Sequence, residues 1–185
     1  MNEIRKASLR LIAVGVGAVF VWWLSSYQTS AFHGDGKIRD SGIFTYPRYH
    51  LEFNQIPFSE AGEHRFSFNG VPSEKMWLQL YVVGKKWGDA PDLTRLNTEM
   101  DVVLRDDQGN VLCTVPGVPI AGAARGGWIL TVTPDSAAFY NLACVDLPMS
   151  RRRSYTLQVG IKNVDARSPS VFLAPTLLGE GIELP

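Results

Sequence analysis

Three histidines, two cysteines and a thin spread of carboxylates are the groups with which this 185-residue chain could do chemistry. A zinc centre asks for His or Cys ligands at short, regular spacing. His33, His50 and His64 have no second histidine or cysteine two or four positions away, and H-E-x-x-H is absent. His50 and His64 flank apolar positions on what read as neighbouring strands, where they can meet. Surface histidines on strands explain them as well. Hydrolysis of sugars needs two carboxylates facing each other across a bond. Asp106-Asp107 is the adjacent acidic pair, and it lies in D-D-Q-G-N, where turn chemistry already accounts for it. A calcium loop of the EF-hand kind needs a longer acidic register and a distant Glu. No G-x-S-x-G, S-x-x-K or glycine-rich phosphate loop occurs. A hydrolase here would need a triad assembled from distant positions. No cofactor or metal is expected.

Cys113 sits in VLCTV and Cys144 in NLACVDL, both among apolar neighbours. Neither has a basic residue within three positions to lower its pKa, and there is no C-x-x-C. In an oxidising compartment an even pair within one domain is most simply a disulfide. Closing a loop of this size stabilises a fold by roughly 3–4 kcal/mol in the chain-entropy model.

Binding surfaces are the richer vein. Gly84 to Asp92 reads GKKWGDAPD, a tryptophan set among charges, glycines and a proline. Lys85, Lys86, Trp87 and Asp89 are therefore candidate binding residues, with Trp87 either an interface anchor or a stacking surface for a sugar ring. Pro116 to Gly127 is a long run of small residues whose single charge, Arg125, is a further candidate. Trp77 and Tyr81 lie on the strand face opposite Leu78 and Leu80, and with Trp87 they compose a candidate carbohydrate platform. Arg151-Arg152-Arg153 suits anionic lipid, an acidic partner or a solvated turn that discourages sheet pairing.

The elements that must position these residues are strands. Tyr49, Leu51 and Phe53 alternate with polar residues, as do Phe66 and Phe68. Met76, Leu78, Leu80 and Val82 share a face. So do Trp128, Leu130 and Val132, and Tyr155, Leu157, Val159 and Ile161. Val102 and Leu104 lead into the D-D-Q-G-N turn, and Val111, Cys113 and Val115 return. Val171 to Ala174 adds a last strand. Period-two alternation means one face buried and one wet, as in antiparallel sheets. Asp135 to Leu142 reads as one or two helical turns capped by Asp135. The fold class is all-β: an antiparallel β-sandwich of the immunoglobulin-like or jelly-roll kind, preceded by one N-terminal transmembrane or signal-anchor helix.

That helix is read from Leu11 to Leu24, fourteen uncharged residues behind Arg5, Lys6 and Arg10. The charge order places the N-terminus in the cytoplasm and the chain beyond about Tyr27 outside it. A helix from Ala7 to Ser26 would rise about 30 Å, enough to cross a hydrocarbon core, with Trp22, Trp23 and Tyr27 at the far interface. Cleavage near Thr29-Ser30-Ala31 would release a secreted protein instead. Residues 1–27 thus form the anchor, 28–47 a linker and 48–185 the extracytoplasmic domain, in a bacterium most simply periplasmic.

Charge excludes one class of partner. Lys plus Arg number 18, equal to Asp plus Glu. Setting aside Arg5, Lys6, Arg10 and Glu3 leaves 15 basic and 17 acidic residues, so no basic field exists to hold nucleic acid. The expected function is binding of a protein partner by a membrane-tethered module, as in an envelope assembly factor or an immunity-type inhibitor of a periplasmic toxin. The alternatives are a carbohydrate-binding module and, further off, a hydrolase.

Overall fold

The computed structural model describes residues 31–42, 45–72, 75–85, 87–89, 93, 96–119 and 127–180. The anchor read at 1–27 lies outside them, as do Lys86 and Arg125. The described chain runs through thirteen strands: β1 (His33–Gly34), β2 (Lys37–Asp40), β3 (Tyr49–Glu52), β4 (Ile56–Pro57), β5 (Gly62–Asn69), β6 (Lys75–Val82), β7 (Glu99–Asp106), β8 (Val111–Pro119), β9 (Ile129–Val132), β10 (Ala137–Tyr140), β11 (Leu147–Pro148), β12 (Ser154–Lys162) and β13 (Phe172–Gly179). Their pairings are antiparallel throughout.

They form two sheets. The first has the order β1-β5-β12-β7-β8, and the second β2-β3-β13-β6-β10-β9, with β4 on β13 and β11 on β6. The pairing is nested. β7 pairs with β8, β6 with β10, β5 with β12 and β3 with β13. The innermost pair is closed by the D-D-Q-G-N turn, in which Gly109 takes φ +84°. The outermost pair brings the last strand into the middle of its sheet.

The alternation explains the packing. In β6, Met76, Leu78, Leu80 and Val82 are buried while Trp77, Gln79 and Tyr81 are only partly so. In β12, Tyr155, Leu157, Val159 and Ile161 are buried. These faces meet in one core shared by both sheets. Phe53, just past β3, sits 5.1 Å from the Phe66 ring and 5.0 Å from the Phe68 ring of β5 in the opposite sheet. Each such side chain, fully buried, contributes about 1.5–3 kcal/mol. Trp128 is buried too, and its indole N–H donates to the Met100 carbonyl of β7 at 3.2 Å.

Two stretches differ from the sequence reading. Residues 135–142 hold strand β10 rather than a helical turn. The helical turn comes later, a 3-10 turn at Leu142–Cys144 capped by Asn141, whose side chain accepts from the Ala143 N–H at 2.9 Å. Between 28 and 47, read as a linker, β1 joins the first sheet and β2 the second.

The two ends of the fold are distinct. His33 and Ser154 both pair with Asn69, and Tyr155 pairs with Asp106. Arg153 bonds Asp106 at this end, while Leu147 pairs with Met76 at the start of β6. Gly70, at φ +70°, lies against the Ala31 carbonyl with no room for a Cβ. The described chain therefore begins at this end. β6 finishes at the other end, where β5 and β7 start.

Candidate functional site

Lys85, Trp87 and Asp89 lie at that opposite end. β6 stops at Val82, where the Val83 N–H still donates to the Phe172 carbonyl at 2.8 Å. Gly84 then takes φ +73°, a conformation costly for any side chain with a Cβ. The Lys85 N–H closes the turn on the Val82 carbonyl at 3.1 Å. A 3-10 turn over Trp87–Asp89 follows, and it brings two of the predicted site residues together: Lys85 Nζ lies 3.1 Å from Asp89 Oδ1. Both side chains are partly exposed. An ion pair of this kind adds little stability.

A cluster that sequence reasoning missed stiffens this end. Asp165 accepts from the Asn97 N–H at 2.9 Å and from the Arg167 N–H, Nε and Nη2 at 2.9, 3.0 and 2.7 Å. The Asp165 N–H donates to Thr98 Oγ1 at 2.9 Å, and the Thr98 and Ser168 hydroxyls stand 2.6 Å apart. The Arg167 guanidinium, then the Arg167 and Asn97 amides, hold the Asp165 carboxyl well below the usual range. The clamp ties the segment before β7 to the connection between β12 and β13. Its only local signal is D-A-R, an Asp two residues before an Arg. Asn97 and Thr98 are too far away in sequence to be linked to it.

The second surface is the outer face of the second sheet. Trp77, Gln79 and Tyr81 point there. Opposite them on β13 stand Leu178, Thr176 and Ala174, and Ala138 of β10 faces Tyr81. Tyr46, 71% exposed, stacks on Trp77 with ring centroids 5.6 Å apart and planes at 28°. Its hydroxyl donates to Glu180 Oε1 at 3.2 Å. Burial pushes the Tyr81 phenol above its ordinary pKa. The outer face of the first sheet is different in kind. There Gln158 donates to Glu63 at 3.0 Å and Lys162 pairs with Asp101 at 2.7 Å, a charged and wet surface.

The remaining chemical groups are held apart or engaged. His50 lies on β3 of the second sheet and His64 on β5 of the first, so the expectation of neighbouring strands is corrected. The chain crosses between sheets between them. Among the described residues no three His, Cys, Asp or Glu side chains could hold a metal. Asp106 is buried and accepts from the Gln108 and Asn110 N–H groups at 3.0 and 2.8 Å, from Asn110 Nδ2 at 2.9 Å, and from Arg153. The Asn110 side chain first, then these backbone donors and Arg153, keep its carboxyl below the ordinary value. One arginine of the 151–153 triplet is thereby committed to the fold.

Cys113 of β8 and Cys144 of the second 3-10 turn are disulfide-bonded, with Cα atoms 5.1 Å apart. Both are buried. The bridge joins a strand of the first sheet to a turn between strands of the second. Set against known protein families, curated proteins and solved structures, the chain matches none.

Proposed function

We propose that this protein is a membrane-tethered module that binds a protein partner outside the cytoplasm, in a bacterium within the periplasm. An envelope assembly factor and an immunity-type inhibitor of a periplasmic toxin both fit this reading. The observation that carries it is the polarity of the domain. The described chain starts at Ala31, packed on Gly70, and the Lys85–Asp89 turn stands at the far end. An anchor at Leu11–Leu24 ends only a few residues before Ala31. It would hold the first end near the bilayer and present the far end outward. At that end the Asp165 clamp also fixes the segment before β7 to the connection between β12 and β13, and a preorganised surface lowers the ordering cost of binding. Tethering confines the search for an envelope partner to the membrane plane.

The nested strand order favours a jelly roll over an immunoglobulin-like sandwich. That fold hosts unrelated functions, so the case for binding rests on the surface and not on the architecture.

A photo-crosslinking residue placed at position 85 in the full-length protein, in its native membrane, tests the reading. It should give a discrete protein adduct that Trp87→Ala weakens, while the same probe at position 152 gives none. Adducts from position 152 alone, or from neither, would overturn it. Fractionation tests the tether. The full chain should stay with the membrane, and a soluble product lacking the first ~31 residues would show cleavage instead.

A further inference from the structure

We infer that the protein partner docks on the free edge of β9, adding an extended, uncharged segment of its own chain to the second sheet as a further strand. This rests on the protein-binding reading and names the part of the partner that is held. The outermost strand of a sheet offers a row of unpaired N–H and C=O groups, which folded proteins blunt with charge, proline, bulges or shortness. The two sheets end in β1, β8, β2 and β9. β1 has only two residues. β2 reads KIRD, charged at Lys37, Arg39 and Asp40. β8 carries Pro116 and Pro119, and its register against β7 is broken between Met100 and Val102 and again between Leu104 and Arg105. β9 reads Ile-Leu-Thr-Val, with no charge, no proline and an unbroken register against β10.

The turn after β9 sets the phase of its ladder. The Thr133 N–H donates to the Ser136 carbonyl at 2.8 Å. Bonded and non-bonded pairs alternate along an antiparallel ladder, so Thr131, opposite Ala138, turns its backbone inward to β10. Leu130 and Val132 turn theirs outward, and among the described residues no backbone group bonds them there. Their N–H and C=O groups recur every second residue, about 6.8 Å apart. An extended main chain matches that repeat, whereas a helix spends its own amides internally. The side chains of Leu130 and Val132 pack partly against the core, so alternate residues of the added strand would extend it and are apolar. With no charge on β9, nothing there compensates a charged segment. The edge also opens at the binding end. Val132 pairs with Ala137, and the adjacent Ala138 pairs with Tyr81, one residue before β6 gives way to the Lys85 turn. The proposed tether argues against a second copy as the occupant. Two copies can join at β9 about a two-fold axis only antiparallel, which points the Ala31 end of one away from the bilayer that anchors the other.

The test moves the photo-crosslinking residue to position 131 of the full-length protein in its native membrane. It should capture the same partner as position 85. Mass spectrometry of the digested adduct should place the link in a stretch as long as β9, uncharged and apolar at alternate positions. Val132→Pro removes an outward N–H and no bond to β10, and should cut the yield about tenfold. Thr131→Lys puts a charge on an exposed side chain. It should cut capture from position 85 as strongly and leave the melting temperature unchanged, so the outcome does not hang on the folding of the proline variant. Capture from position 85 with none from 131 overturns the edge and leaves the protein-binding reading in place. Undiminished capture by Thr131→Lys does the same, as does a link from position 131 to a second copy of this chain. No capture from either position overturns both.

Discussion

Asp101 and Gly160 face each other across β7 and β12, and the missing side chain of Gly160 is what lets the Asp101 carboxylate lie down on the sheet. Its Oδ2 accepts from Lys162 Nζ at 2.7 Å, while Oδ1 is buried and has no hydrogen-bond partner among the described residues. A Cβ at position 160 would occupy the space of Oδ1. Gly160→Ala should therefore destabilise the fold by about 1–3 kcal/mol, the usual cost of overpacking. Adding Asp101→Ala should recover much of the loss. Urea unfolding of the two single variants and the double variant checks the coupling, and strictly additive losses would refute it.

The Cys113–Cys144 bridge spans 31 positions and ties the two sheets together. Replacing both cysteines with alanine should lower stability by roughly 3–4 kcal/mol in the chain-entropy model. Alkylation of the native protein should label neither sulfur until a reductant is added. Labelling of both without reductant would exclude the bridge.

Tyr49 gives the alkaline limit. It is fully buried, and the Arg48 guanidinium lies 4.8 Å from its ring centroid. Burial raises its phenol from the ordinary 10.0 to about 12, against the opposing pull of Arg48. The folded state thus holds the proton more tightly than the unfolded chain. This contribution to stability is complete below pH 10 and is lost as pH climbs towards about 12. Tyr81 and Tyr155 shift in the same direction, so they act with the same sign. Denaturant midpoints measured across this window should fall, and Tyr49→Phe should flatten the slope.

Acid has the opposite mechanism. Asp106 and Asp165 are held below the ordinary carboxylate value in the fold, by Asn110 and Arg167 foremost. Their contribution is present at neutral pH and is lost as pH falls through their depressed folded values. The melting temperature should drop progressively once pH passes below about 4. Asp106→Asn and Asp165→Asn should each be less stable at neutral pH and less sensitive to acid, and an unchanged acid slope in both would refute the assignment.

Strands with one wet face are legible from their residues alone. β6 and β12 announce themselves because water on one side demands polar residues at every second position. The cysteine pair is legible for an even simpler reason, since two cysteines allow one pairing. Strands covered on both sides lose that signature. Ala137, Ala138 and Phe139 of β10 are all buried, so DSAAFYNL shows no alternation and imitates a helical turn. β13 is buried from Leu173 to Gly179 and holds Pro175, which hides its continuation past Ala174. The proline is tolerated because that edge faces the gap between β3 and β4, where its carbonyl accepts from the Phe53 N–H at 2.9 Å and no ladder donor is missed.

By itself, then, the order of residues determined the material of this protein: which segments pleat, which faces are apolar, which turn closes the central hairpin. Only the tertiary structure decided who meets whom. Nested pairing set β3 beside β13 and β5 beside β12, sent His50 and His64 to different sheets, and brought Tyr46, Trp77 and Glu180 together from three distant stretches. Alternation is a local property, set by one strand and its solvent. Strand partnership depends on the burial of the whole core at once, and no window of sequence contains that sum.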